Sequence, residues 1–390
     1  MDEEQLNQEN SPQEDGSSEV IKSMYEESFD ISMEDLIIPD VQEETVKSNV
    51  IEDKVEAAFK FCFLGAGQGG SRIAQSFNAK GYERVAVINT AQQDLNTINV
   101  KNKLLIGEGG AGKDPEVARR LYAEKENDIL DFIRYSFGEE FDRIFVCVGG
   151  GGGTGSGLAT SLVEASKEVC DSLKLSNNKV GMILTLPKNS EGRGVCNNAA
   201  KLLREVMEYV DSGKISPLII VDNERVSNLY PNLPVSKFWE VANGSTSGLF
   251  HLFNHTAAKD STYSSFDAND YKNVLDSGLI VFGASPVKDW QDSVAISRAV
   301  RENLKGNLLT GGIDLSQGST AGAIIIGGKE QLDNIKQMDL DDAFSQLSRM
   351  LKTNTLVHRG IYSGNQSGLT IFTVIGGLGL PQERLKDLET

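Results

Sequence analysis

The sequence predicts an α/β fold made of a Rossmann-like parallel sheet, a long central helix and a smaller α+β C-terminal domain with a mixed sheet. Three observations carry this. From Phe59 onward, continuous apolar runs alternate with helical patterns, as expected of parallel strands covered on both faces. Three of the early strands run straight into glycine-rich turns. Past residue 236 the pattern changes to one long helix, followed by strands with fewer helices between them.

Taken in order, residues 1–56 hold 18 Asp and Glu against three Lys. They lack periodicity and cannot bury enough apolar surface to offset their ordering entropy, so they read as a disordered acidic tail. An apolar island within it, residues 28–41, is suited to folding on a partner. The formal charge of −18 therefore sits mostly in the tail: the rest of the chain has 38 acidic and 35 basic residues. A near-neutral body offers no basic face for direct nucleic-acid binding.

Strand one (59–65) leads into the turn GAGQGG, and strand two covers 84–90. Asp114 is set to cap a helix that has Pro115 at its first position. The run 144–148 drives into five consecutive glycines, 149–153, then Thr154, Gly155, Ser156 and Gly157. A strand, a glycine loop and a helix start together form an anion cradle, because glycine lets backbone N–H groups approach a phosphate and the helix adds the positive end of its dipole. Strands at 180–187 and 217–223 flank a helix at 197–210. The long helix covers 236–258. Beyond it come a helix from Asp267, a strand at 279–285, a helix at 296–304, a strand at 321–328, a helix at 339–352, and strands at 356–363 and 369–377.

Other features exclude function classes. Cys62, Cys147, Cys170 and Cys196 have no CxxC spacing and read as reduced thiols, and no apolar run approaches 18 residues, so a cytoplasmic protein without membrane contact is expected. His251 and His255 are spaced for zinc but lack a third ligand and read as helix decoration. Gly65, Gly67 and Gly70 match GxGxxG, which on its own suggests an NAD-dependent oxidoreductase carrying bound nicotinamide. That reading expects an acid ending strand two, where Asn89 and Thr90 stand, and leaves the other two glycine turns without a role. A Walker loop is absent.

At these residues a family resemblance emerges. GGGTGSG, residues 151–157, resembles the signature of the tubulin/FtsZ superfamily, and the remaining motifs follow in that family's order: GAGQGGS, NTAQQDL at 89–95, GAGKDPEV at 110–117, TLPKNSEG at 185–192, WEVAN and SFDANDYKNVL. The resemblance covers roughly residues 59–381. Within the superfamily the chain is most similar to the plasmid and phage tubulins, the TubZ and PhuZ branch.

The resemblance implies the tubulin/FtsZ fold, divided into an acidic tail (1–56), a GTP-binding domain (57–235), a central helix (236–258) and a GTPase-activating domain (259–384). It implies GTP or GDP, with Mg2+, held by Gly67, Gln68, Gly69, Asn89, Gly110, Ala111, Gly112, Gly151, Gly152, Gly153, Thr154, Gly155 and Ser156. Glu191 would hold the ribose, Trp239 and Asn243 would meet the guanine, and Asn223 would be a further nucleotide contact. It implies a head-to-tail homopolymer in which Asp267 and Asp270 enter the neighbour's site as the catalytic acids. By spacing alone, Asp267 is an N-cap and Asp270 a first-turn acid. Three departures from the FtsZ pattern bear on the chemistry: Ala91 in place of the second-loop Asp, Ser265 in place of the catalytic-loop Asn, and Val195 in place of the ribose-side Arg, with Arg193 two residues earlier. They keep a non-hydrolysing structural filament open as the alternative. Movement or positioning of plasmid or phage DNA is the expected purpose, with cargo held through an adaptor bound to the acidic tail.

Overall fold

The computed structural model describes residues 57–175, 178–287, 289–292, 294–305, 312–353, 355–365 and 368–390. The acidic tail and its apolar island lie outside these residues.

Six strands, β1 (Phe61–Ala66), β2 (Val85–Asn89), β3 (Asn102–Leu105), β4 (Arg143–Gly149), β5 (Val180–Leu186) and β6 (Ile215–Asp222), pair in parallel in the order β3-β2-β1-β4-β5-β6. The sheet continues. β7 (Leu279–Val287) joins β6 in parallel through two register pairs, Leu218 with Leu279 and Ile219 with Ile280. β10 (Leu369–Leu378) then runs antiparallel to both β7 and β8 (Thr320–Gly328), and β9 (Leu356–Gly364) closes the far edge parallel to β8. The smaller mixed sheet expected in the C-terminal part is thus a continuation of the first, giving one sheet of ten strands. An apolar run announces a buried strand but not its neighbour, so the β6–β7 seam was invisible in the sequence.

Side chains along each strand alternate between two cores. Cys62, Leu64 and Ala66 share one face, which packs against α3 (Pro115–Phe137), α4 (Gly153–Ser172) and α5 (Arg193–Asp211). Phe61 and Phe63 share the other, which packs against α1 (Gly67–Asn78), α7 (Val235–Thr256) and α8 (Ala268–Leu275). The second core is strongly aromatic. Phe63 stacks on Phe77 with centroids 3.8 Å apart, and Phe250 of α7 meets Phe145 edge-on at 5.0 Å. Each such buried ring contributes roughly 1.5–3 kcal/mol.

The short helices α2 (Gln92–Asn96) and α6 (Asn223–Leu229) follow β2 and β6 directly. α9 (Ala295–Lys305), α10 (Lys329–Asn334) and α11 (Gln337–Met350) cover the C-terminal strands. A last helix, α12 (Gln382–Glu389), was not anticipated. It docks on α5, where the Nε of Arg204 donates to Glu389 at 3.1 Å, so the end of the described chain returns to the N-terminal half. No helix among the described residues is long and apolar enough to cross a membrane.

Candidate functional site: a glycine cradle and a distant acid loop

The cradle is made mainly of backbone. β1 passes into α1 with almost no loop, and a Cβ on Gly70 would lie 2.0 Å from the carbonyl oxygen of Cys147, so only glycine lets α1 sit this close to β4. β4 ends at Gly149, and α4 begins at Gly153. The glycine run expected as a loop as far as Gly157 is therefore half helix. Glycine is a poor helix former, but a Cβ on Gly155 would meet the Gly149 carbonyl oxygen at 2.8 Å and one on Gly157 the Pro115 carbonyl oxygen at 2.3 Å. Close packing, not flexibility, selects these glycines. Asp114 caps α3 as expected, accepting from the Glu116 N–H at 3.0 Å.

These turns enclose a cavity of about 390 Å³ at the carboxyl ends of the strands. Gly67, Gln68 and Gly69 line it from the first turn, Gly110, Ala111 and Gly112 from the second, and Gly151 to Gly155 with Thr154 from the third. Glu191, Asn223 and Trp239 complete the predicted wall. Three predicted contacts stand outside it. Asn89 is buried and organises the second loop instead: its Oδ1 accepts from Thr90 N–H at 2.8 Å and its Nδ2 donates to Asp94 at 3.2 Å. Ser156 turns back to donate to the Gly152 carbonyl. Asn243 is buried against a second cavity of about 850 Å³, from which Trp239 and Arg72 divide the first.

Several wall residues escaped the sequence reading. Thr90 and Thr154 share a hydrogen bond of 2.7 Å that bolts the second strand's end to the start of α4. Lys113 and Arg72 bring positive charge to the cavity, and Asp94 brings a carboxylate near the position left neutral by Ala91. Arg72 lies over the Trp239 ring, 5.2 Å from its centroid. The available signal was that Arg72 directly follows GAGQGGS, Asp94 lies in NTAQQDL and Lys113 lies in GAGKDPEV. Of the two residues weighed for the ribose-side arginine, Val195 lines the cavity under Gly151, whereas Arg193 is exposed and absent from the wall.

The end of the cavity nearest Asn223 is braced by α12. Asp222 caps α6, accepting from Glu224 N–H at 3.1 Å, and its other oxygen lies 2.9 Å from the Nε of Arg384. Arg384 also donates to the Asn189 side chain at 2.6 Å and the Pro187 carbonyl at 2.5 Å, on the loop leading to Glu191. Both Asp222 and Arg384 are almost fully buried, and burial outweighs the arginine in pushing the Asp222 carboxyl up to about 6. Beside it, the side-chain oxygen of Asn223 is buried without a hydrogen-bond partner. A purine N–H entering the cavity would satisfy it.

Asp267 and Asp270 are nowhere near this cavity. Trp239 lies in the first turn of α7, and the acids follow the far end of that helix, whose 22 residues span about 33 Å. Both expectations from spacing are realised in a reciprocal cap: Asp267 accepts from Asp270 N–H at 2.9 Å, and Asp270 accepts from Asp267 N–H at 3.2 Å. Ser265 closes its own turn, its hydroxyl accepting from Ser261 N–H at 3.0 Å. β9 fastens this loop. Ile361 N–H donates to the Ser264 carbonyl at 2.8 Å, and the Tyr362 hydroxyl accepts from Phe266 N–H at 2.8 Å. His251 and His255 stack on each other along α7, and among the described residues no group of three or more His, Cys, Asp or Glu is arranged to hold a metal.

Residues 60–231 match the family model for the tubulin/FtsZ family GTPase domain. The chain is 27% identical over 246 residues to the tubulin-like protein TubZ of Bacillus cereus, a match covering 58% of this chain and 54% of that protein, so it spans about half the length of that relative. It is 25% identical over 327 residues to cell division protein FtsZ 1 of Pyrococcus furiosus, covering 79% of each. Among solved structures, a GTPγS-form protofilament of Bacillus thuringiensis serovar israelensis TubZ superposes with a TM-score of 0.74 at 16% identity, covering 85% of this chain and 90% of that one. An FtsZ dimer from M. jannaschii superposes at 0.62 with 23% identity, over 85% and 91%. At these identities the structures speak for the fold. Residues 60–231 thus carry the sequence pattern of the tubulin/FtsZ family GTPase domain, and the chain has the fold seen in the TubZ and FtsZ structures.

Proposed function

We propose that this protein is a self-polymerising GTPase that binds GTP in the glycine cradle and completes its active site only between neighbouring subunits of a head-to-tail filament. The observation that carries the reading is the separation of cradle and acids by the length of α7. One chain cannot bring Asp267 to its own cavity, whereas stacking a second copy end to end can. Such a contact joins two different surfaces and so repeats without limit unless it closes a ring.

In this reading the backbone amides of the three turns and the first turn of α4 hold the phosphates, and Lys113 neutralises part of their charge. Trp239 offers its ring and Asn223 its unpaired oxygen to the base. Asp267, exposed on the neighbour, orients or partly deprotonates the attacking water, a role worth about 10²- to 10⁴-fold. Magnesium fits as it usually binds nucleotides, through phosphates and water with one or two carboxylates; the wall offers Asp94 and Glu191, of which Glu191 is assigned to the ribose, leaving Asp94 for the ion. Bound there, it would supply charge neutralisation to the phosphates.

The near-neutral body argues that any DNA cargo is held through an adaptor. A second reading, a GTP-dependent filament without turnover, is favoured by Ser265 being spent on its own turn and by Asp270 being engaged within its own subunit. Light scattering and phosphate release, measured with GTP and a non-hydrolysable analogue across protein concentrations, test both. The proposal expects release that climbs steeply above a critical concentration. Filaments without release would favour the second reading, and release proportional to protein at all concentrations would overturn the shared site.

A further inference from the structure

We propose that His358 is a positioning residue for the acid pair: its ring holds Asp270 inside its own subunit and so leaves Asp267 as the carboxylate presented to the neighbour. This rests on the interface-GTPase reading above. The Nδ1 of His358 lies 2.5 Å from Oδ1 of Asp270, while the other carboxylate oxygen accepts from Asp267 N–H. Both oxygens of Asp270 are thus engaged within the subunit. Asp267 spends one oxygen on the cap and remains exposed.

The histidine is a built part of this loop. Its side chain is 9% exposed, its Nε2 is buried without a hydrogen-bond partner, and the ring of Phe266 packs against it edge-on at 6.4 Å. The contact to Asp270 assigns the proton to Nδ1. His358 comes from β9, the strand that also fastens the loop through Ser264 and Phe266, so the acids and their fastening move as one unit.

Charge gives the arrangement a purpose. Two free carboxylates entering a site that holds a polyphosphate would repel it, and the repulsion grows as water is excluded. The imidazole N–H holds the Asp270 carboxylate within its own subunit and leaves Asp267 as the carboxylate that meets the phosphates. His358 meets Asp270 at the start of α8 and the Phe266 ring, and Tyr362, four residues further along β9, shares its face of the strand. Gly322 of β8 stands beside His358 in register, and Arg359 turns away to Asp341 at 3.4 Å. Burial, with the nearby acids Asp270, Asp260 and Asp267 adding to it, pushes Tyr362 up to about 12, so its hydroxyl keeps its proton.

The test uses the full chain under polymerising conditions and follows phosphate release per assembled subunit, with the critical concentration in a non-hydrolysable GTP analogue as the control for folding and assembly. His358→Ala is expected to slow release about 10- to 100-fold, the scale of a lost positioning contact, with analogue-driven assembly unchanged. His358→Asn, which can keep an N–H donor near the Nδ1 position, is expected to recover most of the rate, again with analogue-driven assembly unchanged. Wild-type rate in His358→Ala would overturn the proposal, as would His358→Asn that assembles normally but is as slow as the alanine variant. Wild-type release that is independent of concentration would overturn the interface reading, and this proposal with it.

Discussion

The cradle and the acid loop solve opposite problems with opposite materials. The cradle must approach an anion closely, so it uses backbone, and its key positions are glycines whose missing side chains allow strands and helices to touch. The acid loop must present one charge outward and hold the rest still, so it uses side chains: a reciprocal cap, a tyrosine hydroxyl, serine turns and a histidine. The contrast teaches that the two halves of the proposed site should fail differently. Cradle substitutions should cost nucleotide affinity through distortion, whereas loop substitutions should cost turnover and leave binding alone.

The largest effect that could break this contrast is at Asp267. Asp267→Ala is expected to lower turnover about 10²- to 10⁴-fold at polymerising concentration while GTP affinity stays at the wild-type value. Turnover at the wild-type rate would remove the acid from the mechanism. Loss of the cap alone costs about 1 kcal/mol of stability, which a thermal melt separates from the kinetic loss.

Next in size is Arg384, the place where the cradle does depend on a side chain. Arg384→Met leaves Asp222 buried without its cation and is expected to cost about 3–5 kcal/mol in denaturant unfolding, with weaker nucleotide binding through the 187–191 loop. The pH dependence has a definite sign. Asp222 titrates higher in the folded protein than in the unfolded chain, so its contribution to stability is fully present below the unfolded value near 4 and is lost as pH rises through about 6. Removing Arg384 raises the folded value further, and Tm should rise more steeply than in the wild type as pH falls from 7 towards 5. A flat difference between the two melting profiles would show that Asp222 is not the group responsible.

The smallest effect sharpens the backbone side of the comparison. A Cβ on Gly153 would lie 2.8 Å from both the Ala111 Cβ and the Asp114 nitrogen, pushing the second glycine turn off the start of α4. Gly153→Ala is expected to cost about 1–3 kcal/mol, read as weaker GTP binding by calorimetry, with turnover of the bound fraction unchanged. A fall in turnover at saturating GTP would mean that the cradle also positions the chemistry.

The same division explains what the sequence disclosed. Glycine turns after apolar runs, the Asp114–Pro115 helix start and the long helix were legible because local geometry dictates their residue types. The helical half of the glycine run was not, since its reason is contact with the Gly149 and Pro115 carbonyls. Arg384 reads in sequence as an ordinary charged residue in a polar helix, and only the docking of α12 makes it a buried brace. His358 belongs to a strand far along the chain from Asp270, so nothing in either local pattern suggests the other. Asp94, by contrast, sits in a motif that was already singled out and was passed over in favour of the neutral Ala91.

The β6–β7 seam has a mechanical consequence. Two register pairs join strands there, against nine between β8 and β9, so the hydrogen-bonded ladder is narrowest midway across the sheet. Tension applied across the strands concentrates at that line. What resists it is the aromatic layer under α7, the Arg143 guanidinium donating to the Ser216 and Leu275 carbonyls, and the clasp of α12 on α5. The two ends of the molecule are thus coupled less by a stiff plate than by fasteners laid over a narrow joint, and in the proposed filament strain entering at one end of a subunit would be passed to the other through those fasteners.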